Sequence, residues 1–363
     1  MTLYGADPAL VRRAIENGES LPGTAGFAGE LDGALVRDVL GRVPLFRDGK
    51  SDEWDTRPGE LDDPRRVDPG IHSVDDDSHR SWSLPDPAPE TDRRRAVETV
   101  RRGIEASVGS LQTEGETAVA FSGGVDSALV AALLDSPCYV VGFPDSHDVD
   151  AARTAARAMD VELTVVELTA DRLERAVPRV ARAIGRTNAM DVAIALPLFV
   201  VAGRIAADGF DRLAVGQGAD ELFGGYAKVA KAPDDPRVGA ETIRGAAREM
   251  VGTLPDQLER DVLAIRAAGV EPVAPLLHDA VVSAALQLPE ELLVDARGER
   301  KVALRLAARE WLPDRVTFRE KKAVQYGSLV SRELDRLARQ AGFKRRMTDH
   351  VSSYVESRID PDT

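Results

Sequence analysis

The chain has 363 residues, a formal net charge of -14 at pH 7 and a sequence pI near 5.0. Hydrophobic residues make up 43% and charged residues 30%, the balance of a globular chain long enough for two domains. This composition excludes a general nucleic-acid binder, which needs a basic face, and the single cysteine, Cys138, excludes an internal disulfide and a Cys-based zinc site. No run is read as approaching the roughly 20 apolar residues that span a bilayer. Met1–Leu10 lacks the basic flank and apolar stretch of a secretion signal, so a cytoplasmic location and no membrane partner are expected.

Residues 1–90 differ in character from the rest. Val11–Ile15 reads as a short helix, 23–29 as a loop, and 30–48 as short strands and turns. The stretch 48–90 is rich in Asp, Pro, Gly and Arg, with Trp54 and Trp82 as its large apolar anchors. Asp75-Asp76-Asp77 reads as a solvated loop, because it lacks the spaced oxygen ligands and turn glycine of a calcium loop.

From Pro89 onward the pattern changes. Val97, Val100, Ile104 and Val108 recur at helical spacing and predict a helix over 91–109. The short apolar run 117–121 predicts a buried strand, and the stretch up to Leu134, apolar all round, a buried helix. Further strands are predicted over 138–143, 162–168 and 211–215, and helices over 148–159, 171–184 and 189–207, the last apolar enough to be buried. Cys138, at the start of a strand, reads as a core thiol rather than a nucleophile. Strands alternating with helices predict an α/β fold with a doubly wound parallel sheet. Ligands of such sheets bind beyond the carboxyl ends of the strands, where the turns after Phe121, Val141 and Val215 fall. Beyond residue 240 the chain reads as helical, with no further clear strand.

Between the first strand and helix of this region lies Ser122-Gly123-Gly124-Val125-Asp126-Ser127. Two glycines let the backbone turn sharply and approach a ligand. The unpaired N–H groups and dipole of the following helix favour an anion, so the turn reads as a phosphate cradle. It lacks both the G-x-x-x-x-G-K-[ST] run of a Walker loop and the third spaced glycine of a dinucleotide fingerprint. Ser-Gly-Gly alone fits a capped strand-to-helix turn equally well; Asp126, Ser127 and the second motif favour the cradle. That motif, Val215-Gly-Gln-Gly-Ala-Asp-Glu-Leu-Phe-Gly-Gly-Tyr226, pairs a tight turn with Asp220 and Glu221, hard oxygen donors of the kind Mg²⁺ prefers.

The first motif resembles the PP-loop of ATP pyrophosphatases. Together with V-G-F-P-D-S-H-D at 141–148 and G-Q-G-A-D-E-L-F-G-G-Y at 216–226, it resembles the synthetase domain of the asparagine synthetase family. Glu271–Leu277 and the segments Arg319–Lys322 and Gln325–Ser328 resemble later motifs of that family, so the likeness covers roughly 91–330. It implies a PP-loop (adenine nucleotide α-hydrolase-like) α/β domain over 91–345 with a helical C-terminal part, a tail at 346–363, and a small β-rich region over 1–90. On the resemblance, Ser122, Gly123, Gly124, Asp126 and Ser127 would hold the pyrophosphate of ATP, and Phe121, Val141, Val215 and Gly216 would line the adenine and ribose. Asp126 and Asp220 would face Mg²⁺, and Lys321 would place a cation on the phosphates. The implied reaction joins the β-carboxylate of aspartate to AMP, releasing pyrophosphate, and ammonia then displaces AMP to give asparagine.

Three positions depart from the family pattern. Gln217 stands where many members have Glu, and an amide cannot accept a proton from the attacking nitrogen. His278 stands where Asp is usual, and reads as a surface or capping histidine. Thr2 stands where glutamine-dependent members expose a nucleophilic Cys, although 35–46 resembles part of their glutaminase domain. Residues 1–90 are therefore read as a shortened glutaminase-like remnant, and ammonia, free or from a separate glutamine amidotransferase, as the nitrogen source. The sequence does not fix the oligomeric state, and a homodimer is left open. The competing readings are a related PP-loop amide-forming ligase with another amine acceptor and a non-catalytic nucleotide-binding module.

Overall fold

A computed structural model describes residues 2–359 except 75–76, 81, 112–114, 145, 233–239, 320–325 and 347. It opens with β1 (Thr2–Tyr4) and α1 (Pro8–Asn17). Asp7 caps α1 by accepting the Ala9 and Leu10 N–H groups, and Gly18 ends it in the left-handed conformation. Next come β2 (Ala28–Leu31), β3 (Ala34–Arg37), β4 (Phe46–Asp48), β5 (Trp54–Asp55), β6 (Pro64–Arg66), β7 (Ile71–Val74) and β8 (Asp77–Arg80). They form two antiparallel sheets, ordered β1-β2-β3-β7-β8 and β5-β4-β6. The expected loop at 23–29 thus gives its last two residues to β2. Of the Asp75–Asp77 run, Asp77 begins β8 rather than lying in a loop, and the other two are outside the described residues.

The second part runs α2 (Arg93–Leu111), β9 (Thr117–Ala120), α3 (Val125–Leu134), β10 (Cys138–Gly142), α4 (His147–Met159), β11 (Leu163–Glu167), α5 (Ala170–Ile184), α6 (Ala189–Ala207) and β12 (Arg212–Ala214). It continues with α7 (Ala219–Leu222), α8 (Ala227–Ala230), α9 (Ile243–Val251), α10 (Leu254–Arg266), β13 (Glu271–Val273), α11 (Asp279–Leu286), α12 (Glu290–Leu293), α13 (Val302–Ala308), α14 (Asp314–Thr317), α15 (Tyr326–Gln340) and α16 (His350–Ile359). The parallel sheet has the order β11-β10-β9-β12-β13. Chain order reverses beside β9, which places a ligand crevice at the carboxyl ends of β9 and β12.

Two sequence expectations are corrected here. A strand does occur beyond 240: β13 pairs with β12 through Arg212 opposite Glu271 and Ala214 opposite Val273. The expectation that no stretch approaches membrane length changes too: α6, 19 residues with Asp191 and Arg204 within it, is apolar enough by length and composition to cross a membrane. It packs instead against α5, α10 and α15, burying Leu196, Val201, Ala202 and Ile205 in the protein. Residues set apart as a tail contain α16, whose Tyr354 and Val355 are buried against α5 and α15.

The N-terminal sheets are not a separate bead. Val11, Phe27, Leu31 and Trp82 share one apolar cluster with Val100, Ile104 and Leu129. Phe27 and Trp82 meet edge-on with ring centroids 5.7 Å apart. At the seam the buried Arg42 forms ion pairs with Asp38 at 2.9 Å and Asp279 at 2.8 Å, and donates to the Leu277 carbonyl at 2.7 Å.

Candidate functional site

The turn from β9 into α3 is closed by its own side chains. The Ser122 N–H donates to Ser127 Oγ at 3.1 Å, and the two hydroxyl oxygens lie 3.2 Å apart. Gly124 is the N-cap of α3, and no side chain caps the helix there. Helix geometry leaves the next N–H groups without intrahelical partners, available to an anion. Gly123 has φ +73°, and a Cβ there would lie 2.8 Å from the Ala151 carbonyl oxygen of α4. Gly123→Ala is therefore expected to lose at least about 1 kcal/mol through the left-handed backbone alone and to weaken ATP binding at least tenfold. Isothermal titration with a non-hydrolysed ATP analogue measures this, and unchanged binding would remove the turn from the site.

Gly216, at the end of β12, packs directly on the backbone of Asp126 and Ser127, so the two sequence motifs meet. Phe121 and Val215 are buried in the core, so their share of any ligand contact falls to the backbone. Val141 is half-buried.

The centre of the site is a residue outside both motifs. Lys301 is 3% exposed, and its Nζ lies 2.6 Å from Asp126 Oδ2 and 2.7 Å from Asp220 Oδ1. Burial by itself would lower the Lys301 pKa, but the two carboxylates more than offset that and hold it raised. Lys301 sits at φ +60° at the start of α13, and its N–H donates to the Leu293 carbonyl at 2.8 Å. Gly225 makes the approach possible, since a Cβ there would collide with both Asp220 and the Lys301 side chain.

One expectation in the second motif changes. Glu221 does not stand beside Asp220 as a metal-facing carboxylate. It is buried, accepts the Tyr226 hydroxyl at 2.5 Å, and burial pushes its carboxyl up. Gln217 is turned so that its Nε2 donates to Asp261 Oδ2. His278 is a capping residue and not a surface one. It is buried, its Nδ1 accepts the Ala280 N–H at 3.2 Å at the start of α11, and burial lowers its pKa, so the cap is the neutral ring.

Lys321 and Lys322 lie outside the described residues. Just upstream, Arg319 donates to the Ala151 carbonyl at 2.8 Å, beside the Gly123 turn. The buried Arg305 holds the Thr317 and Arg319 carbonyls.

Among the described residues no group of three or more His, Cys, Asp or Glu side chains could hold a metal by itself. The donor set still fits Mg²⁺, which is commonly held by one or two carboxylates together with substrate phosphates. Asp126 Oδ1 is buried with no hydrogen-bond partner among the described residues, an oxygen that a cation would satisfy.

The family model described as asparagine synthase matches residues 99–249 and 234–358. The chain is 29% identical over 273 residues to a protein of Methanocaldococcus jannaschii named putative asparagine synthetase [glutamine-hydrolyzing] 1, covering 66% of this chain and 50% of that protein. It is 25% identical over 272 residues to asparagine synthetase B [glutamine-hydrolyzing] of Escherichia coli, covering 69% and 48%. An asparagine synthetase of Asparagus officinalis is 27% identical over 327 residues, covering 80% and 54%. The chain therefore spans about half the length of these curated relatives.

Proposed function

This chain belongs to the asparagine synthase family, and we propose that it makes asparagine from aspartate, using ATP and releasing AMP and pyrophosphate. The observation that carries this reading is the convergence of Asp126, Asp220 and Lys301 beside the Ser122–Ser127 turn, at the carboxyl ends of β9 and β12. In the proposed reaction the turn holds the departing pyrophosphate through its backbone N–H groups and serine hydroxyls. The β-carboxylate of aspartate attacks the α-phosphorus in line and forms β-aspartyl-AMP; ammonia then attacks the activated carbonyl and displaces AMP. Negative charge grows on the phosphate oxygens during the first step, and fixed cations stabilise it. Lys321 is proposed as one such cation. Lys301 holds Asp126 and Asp220 in place, and these two carboxylates would hold Mg²⁺, which supplies further neutralisation of the phosphate oxygens.

Ammonia, free or delivered by a separate amidotransferase, is the proposed nitrogen source. Cys138 is the only cysteine of this sequence; it is 1% exposed, and burial pushes its thiol up to about 12. A thiol that stays protonated and enclosed is no nucleophile for glutamine. The test supplies the protein with ATP, Mg²⁺, aspartate and either ammonium or glutamine, and identifies the amino-acid product. Asparagine is expected from ammonium only. Asparagine from glutamine would overturn the nitrogen assignment, and pyrophosphate without asparagine would point to a different amine.

A further inference from the structure

Gln217 raises a question that the proposed reaction leaves open, because it stands at the crevice and cannot act as a base. Its surroundings determine which end of the amide faces outward. The Nε2 group donates to Asp261 Oδ2, and Asp261 is 5% exposed. Burial pushes the Asp261 carboxyl up, and the ion pair with Arg260 opposes that shift; in its ionised form the carboxylate only accepts hydrogen bonds, so it admits the NH₂ end of the amide and repels the carbonyl end. Asp261 is itself anchored: Arg260 Nε donates to its Oδ1 at 2.7 Å, and Arg260 Nη1 bonds Asp191 at 3.1 Å. Arg186 joins Asp191, at 3.3 Å, to Glu259, at 2.7 Å, and Glu259 in turn faces Arg66 at 3.4 Å. A run of alternating charge, buried at Glu259, Arg260 and Asp261, thus ends on the Gln217 amide. The half-buried Gln217 has no hydrogen-bond partner for Oε1 among the described residues.

We infer that Asp261 is a positioning residue that locks the Gln217 amide with its carbonyl oxygen toward the crevice, where Oε1 accepts an N–H bond from the incoming amine. The inference deepens the proposed function and rests on it for the identity of the acyl partner. It concerns a hydrogen bond only: Gln217 takes no proton, and the bond is broken when product leaves. The ligand class is a nitrogen nucleophile bearing at least one N–H, of which ammonia is the smallest.

The test is the split between amine KM and kcat. In Asp261→Asn the amide oxygen must stay on Arg260 Nε, so its NH₂ end faces Gln217 and turns the Gln217 amide round, with its own NH₂ toward the crevice. The amine KM is expected to rise at least tenfold, with kcat and aspartate-dependent pyrophosphate release staying within twofold. Gln217→Glu places two carboxylates together and is expected to raise the amine KM at least as much. The double variant Gln217→Glu/Asp261→Asn rebuilds the bond with reversed polarity, and should return the amine KM to within threefold of the parent. An unchanged KM in Asp261→Asn, or a double variant no better than Gln217→Glu alone, would overturn the inference. Should Asp261→Asn fail to fold, the parent protein decides. With ¹⁵N-glutamine labelling, the Gln217 side-chain amide protons should exchange at least tenfold more slowly than those of an exposed glutamine. Free exchange would overturn the lock. A parent protein that releases no pyrophosphate with any amino acid would defeat the proposed function, while the exchange rate would still report the amide orientation.

Discussion

Replacing Lys301 with methionine is expected to cost about 3–5 kcal/mol of stability and to abolish ATP cleavage. The stability loss follows from what remains, because Asp126 and Asp220 would face each other without the buried ammonium that pairs both. Removing one member of a buried ion cluster leaves uncompensated charge, and losses of about this size are typical. The sign of the pH dependence follows from the same geometry. Without Lys301 the paired carboxylates bind a proton more readily in the folded than in the unfolded chain, so the deficit relative to the parent shrinks as pH falls. Urea denaturation of both proteins at neutral and mildly acidic pH measures this. A deficit that is small, or that grows on acidification, would show that Lys301 does not hold the carboxylates. Activity should vanish even where the variant stays folded, since Asp126 and Asp220 would no longer be held beside the turn.

Arg42→Met should have a comparable effect on stability, about 3–5 kcal/mol, although Arg42 lies outside the crevice. Its guanidinium is buried and bridges Asp38 of the N-terminal part to Asp279 at the start of α11. The second carboxylate oxygen of Asp279 takes the Gly23 and Thr24 N–H groups at 3.0 and 2.7 Å, so the two parts are stitched from both sides. Arg42 also holds the Leu277 carbonyl, and the Leu277 side chain packs on Gly218 in the loop that carries Gln217. Loss of Arg42 is thus expected to reach the site. A single urea transition should move to a lower midpoint for probes in both parts, with Trp82 fluorescence and far-UV circular dichroism coinciding. Two separated transitions, with the midpoint of residues 91–359 unchanged, would mean that residues 1–90 are a dispensable appendage.

The parts of the fold legible in the sequence are those where local chemistry and tertiary demand agree. The run Thr117–Ala120, the Gly-Gly turn and the apolar α3 announce a buried strand, a sharp turn and a buried helix, and all three occur. β13 escaped notice because it is three residues long and contains Pro272; an edge strand tolerates proline, whereas periodicity rules assume none. Asp191, Pro197 and Arg204 interrupt the apolar sequence of α6 and hide its membrane length, while its otherwise apolar composition still predicts a buried helix.

The site was half legible. Glycine spacing and paired acidic residues mark the two motifs, because a close backbone approach restricts residue choice locally. Lys301 carries no such mark. It reaches Asp126 across 175 positions of sequence, and only folding brings it there. One signal was available: the chain has seven lysines among 47 basic residues, so a lone lysine in an arginine-rich background invites a specific reason. Asp261 was hidden for a related cause. On the sequence of α10 it is one more charge beside Arg260 and Glu259, and only its burial shows that it serves Gln217.

The most direct test of the account is the fate of ATP labelled at the α-phosphate, incubated with the protein, Mg²⁺ and ammonium, with and without aspartate. The account predicts labelled AMP and an equal amount of pyrophosphate, formed only when aspartate is present and lost in Asp126→Asn. Labelled ADP, or AMP formed equally well without aspartate, would contradict it.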